Sequence, residues 1–291
     1  MLEARDLTVT VNGNTLLRQV DAAARPGHVT VLIGPNGAGK STLLRVLSGE
    51  LAPSSGQALL DGRPLAAVPA AELARRRAVV PQASVLTFPF TALEVAMLGI
   101  TVPGFEASNA AAARSALEAL EAVAMAPLAD RLYVHLSGGE RQRVHIARAL
   151  CQLAAPPSHA DFTRCFLLDE PTSNLDLAHQ TLVLDALRRQ AARGLAVLAV
   201  MHDLNLAAAL ADDMVLLVRG EVAARGSPAE VLRDELLSAA YGCQVAANRV
   251  PDGGRPYVLP PAAFLQRPTP VLSRPRGGNG ADLSATGHPT Q

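Results

Sequence analysis

The chain has 291 residues and a mass of 30.3 kDa, enough to bury one large core or two small ones without disulfide or metal support. Apolar residues make up 49% and charged residues 18%, and 26 basic side chains balance 26 acidic ones. That excludes a mostly disordered chain and argues against a general nucleic-acid binder, which needs a broad positive field. Arginine supplies every basic residue but one, and the exception is Lys40.

Leu7 to Val11 alternates like an antiparallel strand, and Asn12-Gly13 follows as hairpin-turn chemistry. Val29 to Ile33 is a short apolar run. A Gly-rich loop and a helical pattern over Ser41 to Leu47 come next, so strand, loop and helix open an α/β unit. Further helices are expected over Ala70 to Arg77, Ala110 to Ala124, Gly138 to Leu153, Leu177 to Ala192 and Leu204 to Ala211. Cys165 to Leu168 and Ala196 to Met201 are apolar on both faces, like strands of a covered parallel sheet. The Ala-rich segment from about Glu72 to Leu132 reads as a helical subdomain set into this core. Residues 268–291 turn to Pro, Gly, Ser and Thr with no apolar period. Disorder is expected there, with 1–267 as the folded unit. No apolar run approaches the roughly 20 residues of a spanning helix. The opening Met1-Leu-Glu-Ala-Arg-Asp lacks the long apolar stretch of a secretory signal. Cys151, Cys165 and Cys243 are too scattered for a disulfide framework or zinc site, so a reducing cytoplasm is the expected compartment.

Gly34-Pro35-Asn36-Gly37-Ala38-Gly39-Lys40-Ser41-Thr42 fits the pattern G-x-x-x-x-G-K-[ST] between a predicted strand and a predicted helix. Glycines let successive backbone N–H groups turn onto phosphate oxygens, where the helix end adds partial positive charge. Lys40 is placed for the β and γ phosphates and the Ser41 hydroxyl for Mg²⁺. Lysine is a compact point charge and arginine a wide planar fork, so the lone lysine falls where the two cannot be exchanged. A GTPase would need an Asn-Lys-x-Asp motif, which a chain with one lysine cannot carry. Ser137-Gly138-Gly139-Glu140 opens a helix and offers a second anion site from a hydroxyl and backbone N–H groups. Asp169 ends an apolar strand, where a carboxylate can hold Mg²⁺ largely through its water shell, and Glu170 follows at once. His202 lies just past the strand 196–201.

These segments stand in one order: the phosphate loop, Leu136-Ser-Gly-Gly-Glu140, Phe166-Leu-Leu-Asp169-Glu170-Pro-Thr172, Ser173-Asn-Leu-Asp176 and His202-Asp203. With them the chain resembles the ATP-binding cassette family over roughly residues 2–240. The resemblance implies an α/β P-loop cassette with a RecA-like core and an antiparallel β subdomain. The inserted helical subdomain would run over about 72–132 and on to the helix after Ser137. It implies ATP and Mg²⁺ as cofactors, with Ser41, Gln82 and Asp169 around the metal, Glu170 as general base and His202 at the γ-phosphate. Ser137, Gly138, Gly139 and Glu140 of one subunit would close over nucleotide held by another subunit's loop, and Asp176 would contact the opposite subunit. A head-to-tail homodimer follows. Phe88-Pro89-Phe90-Thr91 falls where the family docks a coupling helix of the membrane subunit. In one departure, Val11 stands where the family commonly stacks adenine on an aromatic side chain, so weak purine selectivity or a substitute side chain is expected.

The free single cassette points to a bacterial-type importer. Its partners would be a polytopic permease and, indirectly, a periplasmic or lipoprotein substrate-binding protein. The chain would lie peripherally on the cytoplasmic face of the inner membrane and touch no nucleic acid. Phe88 to Thr91, His202-Asp203-Leu-Asn205, Gly226 to Leu232, Tyr241-Gly and Pro256 to Pro260 are most similar to cassettes that import haem, ferric siderophores or cobalamin. The loop Ala155 to Arg164 looks most like the haem importers. A cytosolic ATPase acting on nucleic acid or ribosomes is the competing reading, and the neutral charge weighs against it. His135, His145, His159 and His179 form no ligand pair and are read as surface or core.

Overall fold

The computed structural model describes residues 1–82, 88–101, 108–154, 162–250, 252–254 and 256–259. Most of the loop 155–164, part of the stretch before Phe88 and the expected disordered tail lie outside the described residues.

Strands β1 (Leu2–Val11) and β2 (Asn14–Ala24) pair across Asn12 and Gly13, whose φ angles of 50° and 80° make a tight hairpin turn. β1 begins at Leu2 rather than Leu7. Asp6 has a φ of 45° and the pairing register slips between Ala4 and Leu7, which breaks the alternation and hides the buried Leu2 and Ala4 from it. β3 (Val29–Ile33) is buried throughout and leads into α1 (Lys40–Leu47). β4 (Ser55–Leu60) and β5 (Arg63–Pro64) complete an antiparallel sheet of order β2-β1-β4-β5.

Next, α2 (Ala70–Arg76) runs straight into β6 (Arg77–Val80). The helices α3 (Ala92–Met97), α4 (Asn109–Glu121) and α5 (Gly138–Ala154) pack on one another as the helical insertion. Within the segment expected as helical from about Glu72, residues 77–80 pair with Cys165–Leu168 as an edge strand. A four-residue strand entered directly from a helix carries no period of its own. α4 ends before Ala124, which has a φ of 54°, and Arg143 Nη1 donates to the carbonyls of Val123 and Ala124 at 3.0 Å each.

The second half alternates strand and helix: β7 (Cys165–Asp169), α6 (Leu177–Ala192), β8 (Ala196–Val200) and α7 (Leu204–Leu210). A hairpin of β9 (Asp213–Val218) and β10 (Glu221–Gly226) and two short helices, α8 (Pro228–Val231) and α9 (Asp234–Tyr241), close it. The second sheet has order β10-β9-β3-β8-β7-β6, parallel except for β10. Successive side chains go to opposite faces. Val31, Phe166, Leu168, Val197 and Ala199 face the core under α3 to α7. Leu32, Cys165, Leu167, Leu198 and Val200 face α1 and the antiparallel sheet. Both faces are covered, which is why these strands read as unbroken apolar runs. The carboxyl ends of β3, β7 and β8 open together at one edge, where an α/β sheet places its ligand site. Among the described residues no helix is long and apolar enough to cross a membrane.

Candidate nucleotide site

The loop between β3 and α1 is folded as a phosphate cradle. Gly34 has a φ of 142°, and a Cβ there would lie 2.0 Å from the Leu217 carbonyl oxygen. Gly39, at a φ of 98°, would bring a Cβ within 2.9 Å of the Leu16 carbonyl oxygen, so neither position admits a side chain. Lys40 is the first residue of α1 and is 6% exposed. Its Nζ donates to the carbonyls of Gly34 at 2.7 Å and Pro35 at 2.8 Å, spanning the loop. Burial holds the ammonium below its ordinary pKa, and the charges of Glu170 and Asp169 oppose that shift.

Asp169 ends β7 and is buried, with its carboxylate accepting from the Ser41 hydroxyl. Its pKa is raised, chiefly by burial and in part by the charge of Glu170, while the Ser41 bond pulls the other way. Oδ1 of the same carboxylate is buried with no hydrogen-bond partner. A buried carboxylate oxygen left unpaired beside a serine hydroxyl is the donor set of a hard divalent cation, so Ser41 and Asp169 fit Mg²⁺.

Glu170 carries a φ of 51°, a left-handed conformation unusual for a glutamate. Its N–H donates to the Val200 carbonyl at 3.1 Å. Its own carbonyl accepts from the Ser173 N–H at 3.2 Å and the Ser173 hydroxyl at 2.9 Å. That tight turn points the side chain out of the strand direction and into the cleft, where Oε1 meets His202 Nε2 at 2.5 Å. A carboxylate can only accept, so Nε2 carries the proton of this pair.

The cleft has a volume of about 650 Å³. Its walls bring together Asn36, Gly37, Ala38, Gly39, Lys40, Ser41, Thr42, Gln82, Glu170 and His202. Gly34 and Pro35 adjoin it through Lys40, and Asp169 through Ser41. Leu16 also lines it and was missed by motif reading. Its signal was local: Leu17 is fully buried, so its neighbour on β2 must face outward, and Leu16 remains 38% exposed. Val11 is 40% exposed and does not line the cleft.

Ser137, Gly138, Gly139, Glu140 and Asp176 do not line this cleft within one chain. Ser137 and Glu140 form a reciprocal cap on α5: Glu140 Oε2 accepts from the Ser137 N–H at 2.7 Å, and Ser137 Oγ accepts from the Glu140 N–H at 3.3 Å. A Cβ on Gly139 would lie 2.7 Å from the Asn174 carbonyl, so this turn packs directly on the loop that follows Glu170. Asp176 caps α6 by accepting from the His179 N–H at 2.9 Å. His145 is a core histidine, with Nε2 2.7 Å from the Tyr133 hydroxyl and a pKa that burial lowers to about 4.

A family model described as "ABC transporter" matches residues 17–173. The Hemin import ATP-binding protein HmuV of Rhizobium meliloti (strain 1021) is 44% identical to this chain, over 91% of this chain and all of the relative. The protein of the same name from Myxococcus xanthus (strain DK1622) is 48% identical, over 89% of this chain and 96% of its own length. Among solved structures, an inward-facing metal-chelate type ABC transporter superposes with a TM-score of 0.68 at 27% identity, covering 84% of this chain and 89% of that one. A dimeric bacterial ABC transporter cassette superposes with a TM-score of 0.66 at 27% identity, covering 78% of this chain and 99% of that one.

Proposed function

This chain belongs to the ABC transporter family, and on that footing we propose that it is the ATP-hydrolysing subunit of an importer for haem. The identity of 44% and 48% to hemin import ATP-binding proteins, over about nine-tenths of the chain, carries the choice of cargo. The contact between Glu170 and His202 opposite Lys40 supports turnover.

Lys40 exchanges its two loop carbonyls for the β and γ phosphates of ATP, while the N–H groups of residues 36–41 take the remaining phosphate oxygens. Ser41, Asp169 and Gln82 would hold Mg²⁺, which when bound neutralises charge on the β and γ phosphates. Glu170 accepts the proton of the attacking water, and His202 keeps that carboxylate and the γ-phosphate in register. Ser137 to Glu140 and Asp176 lie outside the cleft because they serve the cleft of a second copy in a head-to-tail homodimer. A dimeric relative of the same fold supports this assembly.

The subunit sits peripherally on the cytoplasmic face of the membrane beneath a separate permease, which receives substrate from a binding protein. Phe88, 64% exposed and with its ring centroid 6.0 Å from that of Phe90, supports an apolar docking point for the permease. Reconstituting the chain with its permease and binding protein in proteoliposomes tests the reading. ATP-driven haem uptake that disappears with Glu170→Gln is expected. Uptake of a ferric siderophore or cobalamin in place of haem would overturn the cargo.

A further inference from the structure

A second cavity, of about 380 Å³, lies where α4 of the helical insertion meets the C-terminal halves of α5 and α6. Arg164 and Leu195 on its wall immediately precede β7 and β8, so it opens at the end of the sheet opposite the nucleotide cleft. The strands between the two openings are five residues long, roughly 16 Å at an ordinary strand rise.

The floor is apolar, built from Ala119, Leu150, Leu153 and Leu195, and the rim is cationic, built from Arg164, Arg189 and Arg193. Arg164 is anchored across the cavity, its Nη1 donating to the Leu153 carbonyl at 2.6 Å. Arg189 is steadied by Asp185 one turn back on α6. Arg193 makes no ion pair among the described residues, and Glu118, which lines the same cavity, pairs with neither Arg189 nor Arg193. Arg189 and Arg193 are an i, i+4 pair of like charge, unfavourable unless something negative stands between them. Burial and then the charge of Arg193 hold the Arg189 guanidinium below its ordinary pKa. One arginine at the end of α6 is explained by the helix dipole. Arg189 near the end of α6 and Arg193 just past it, both over an apolar floor, are not.

We propose that this cavity binds a small organic anion with an apolar body, its negative group held by Arg189 and Arg193 and its body resting on the leucine floor. Guanidinium forks match planar or tetrahedral oxyanions, and the volume falls among small-molecule sites. Because α4 belongs to the helical insertion and α6 to the sheet layer, the bound anion ties the two together. The inference does not depend on the cargo proposed above.

Fluorescence titration of the intact protein with 8-anilinonaphthalene-1-sulfonate tests it, with and without saturating ATP. One saturable site that ATP does not displace is expected. Its affinity should fall about tenfold in Arg193→Gln and in Arg189→Gln, and by a smaller factor of about 3 to 5 in Arg193→Lys, which keeps the charge and loses the fork. The neutral analogue N-phenyl-1-naphthylamine should show no dependence on Arg193. Absence of saturable binding, or equal affinity of the sulfonate for wild type and Arg193→Gln, overturns the proposal.

Discussion

Glu170 Oε1 and His202 Nε2 stand 2.5 Å apart although 32 residues separate them in the chain. They meet because β7 and β8 are adjacent parallel strands, with Asp169 opposite Val200, so both residues emerge at the same sheet edge. Glu170→Gln keeps the shape and removes the base. It should lower kcat by about 100-fold or more while ATP affinity stays near wild type, and His202→Ala should do much the same. Single-turnover hydrolysis alongside nucleotide binding checks this.

Lys40→Arg should also lower hydrolysis to about 1% of wild type or less, with Tm changed by only a few degrees. The ammonium reaches two loop carbonyls at 2.7 and 2.8 Å as a compact point charge, a geometry that a wide planar fork does not reproduce. Retained turnover would return the solitary lysine to a coincidence of composition.

Asp169 combines function with a cost to stability. Burial raises its pKa, so the fold favours the protonated acid. That contribution is present below the unfolded-state pKa and is lost as pH rises through the higher folded value. Above that folded value the stabilisation from the protonated acid is gone and the buried charge weighs against the nucleotide-free fold. Asp169→Asn should raise Tm at pH 7.5 and flatten its decline above the carboxylate range, while Mg²⁺-dependent hydrolysis falls about 100-fold or more. Calorimetry across pH, paired with an ATPase assay, measures both.

Leu16 lines the cleft and Val11 does not, so a bound base is expected to meet an aliphatic face without a Tyr, Phe or Trp ring to stack on. ATP and GTP should be hydrolysed with kcat/KM values within about fivefold of each other, and Leu16→Ala should raise KM for both by a similar factor of about 5 to 10. A strong preference for ATP would mean that another group reads the base.

Gly139 touches the carbonyl of Asn174 so closely that a Cβ would sit 2.7 Å from it. Gly139→Ala must displace either the turn at Ser137 or the loop leading to Asp176, the two surfaces assigned to the second copy. Sedimentation should show that ATP no longer dimerises the Glu170→Gln protein once Gly139→Ala is added, while ATP binding to the monomer persists.

The phosphate loop, the Asp169-Glu170 pair and the apolar strands β3, β7 and β8 were legible in the sequence, because each is a contiguous segment whose chemistry or two-sided burial leaves a local pattern. Helix α6 matched its expected bounds of Leu177–Ala192, since Asp176 caps its start. Strand β6 was hidden by its shortness and the first half of β1 by the bulge at Asp6.

Sequence alone thus determined where the glycine-rich loop, the Asp169-Glu170 pair and the covered strands lie, since each follows from residue type and spacing within a single segment. Only the tertiary structure decided that His202 meets Glu170, that Leu16 lines the cleft, that Gln82 joins it just past the edge strand β6, and that Ser137 and Asp176 stand apart from it. Those relations depend on the strand order β10-β9-β3-β8-β7-β6. Burial of apolar surface between distant segments selects that order, and no local period encodes it.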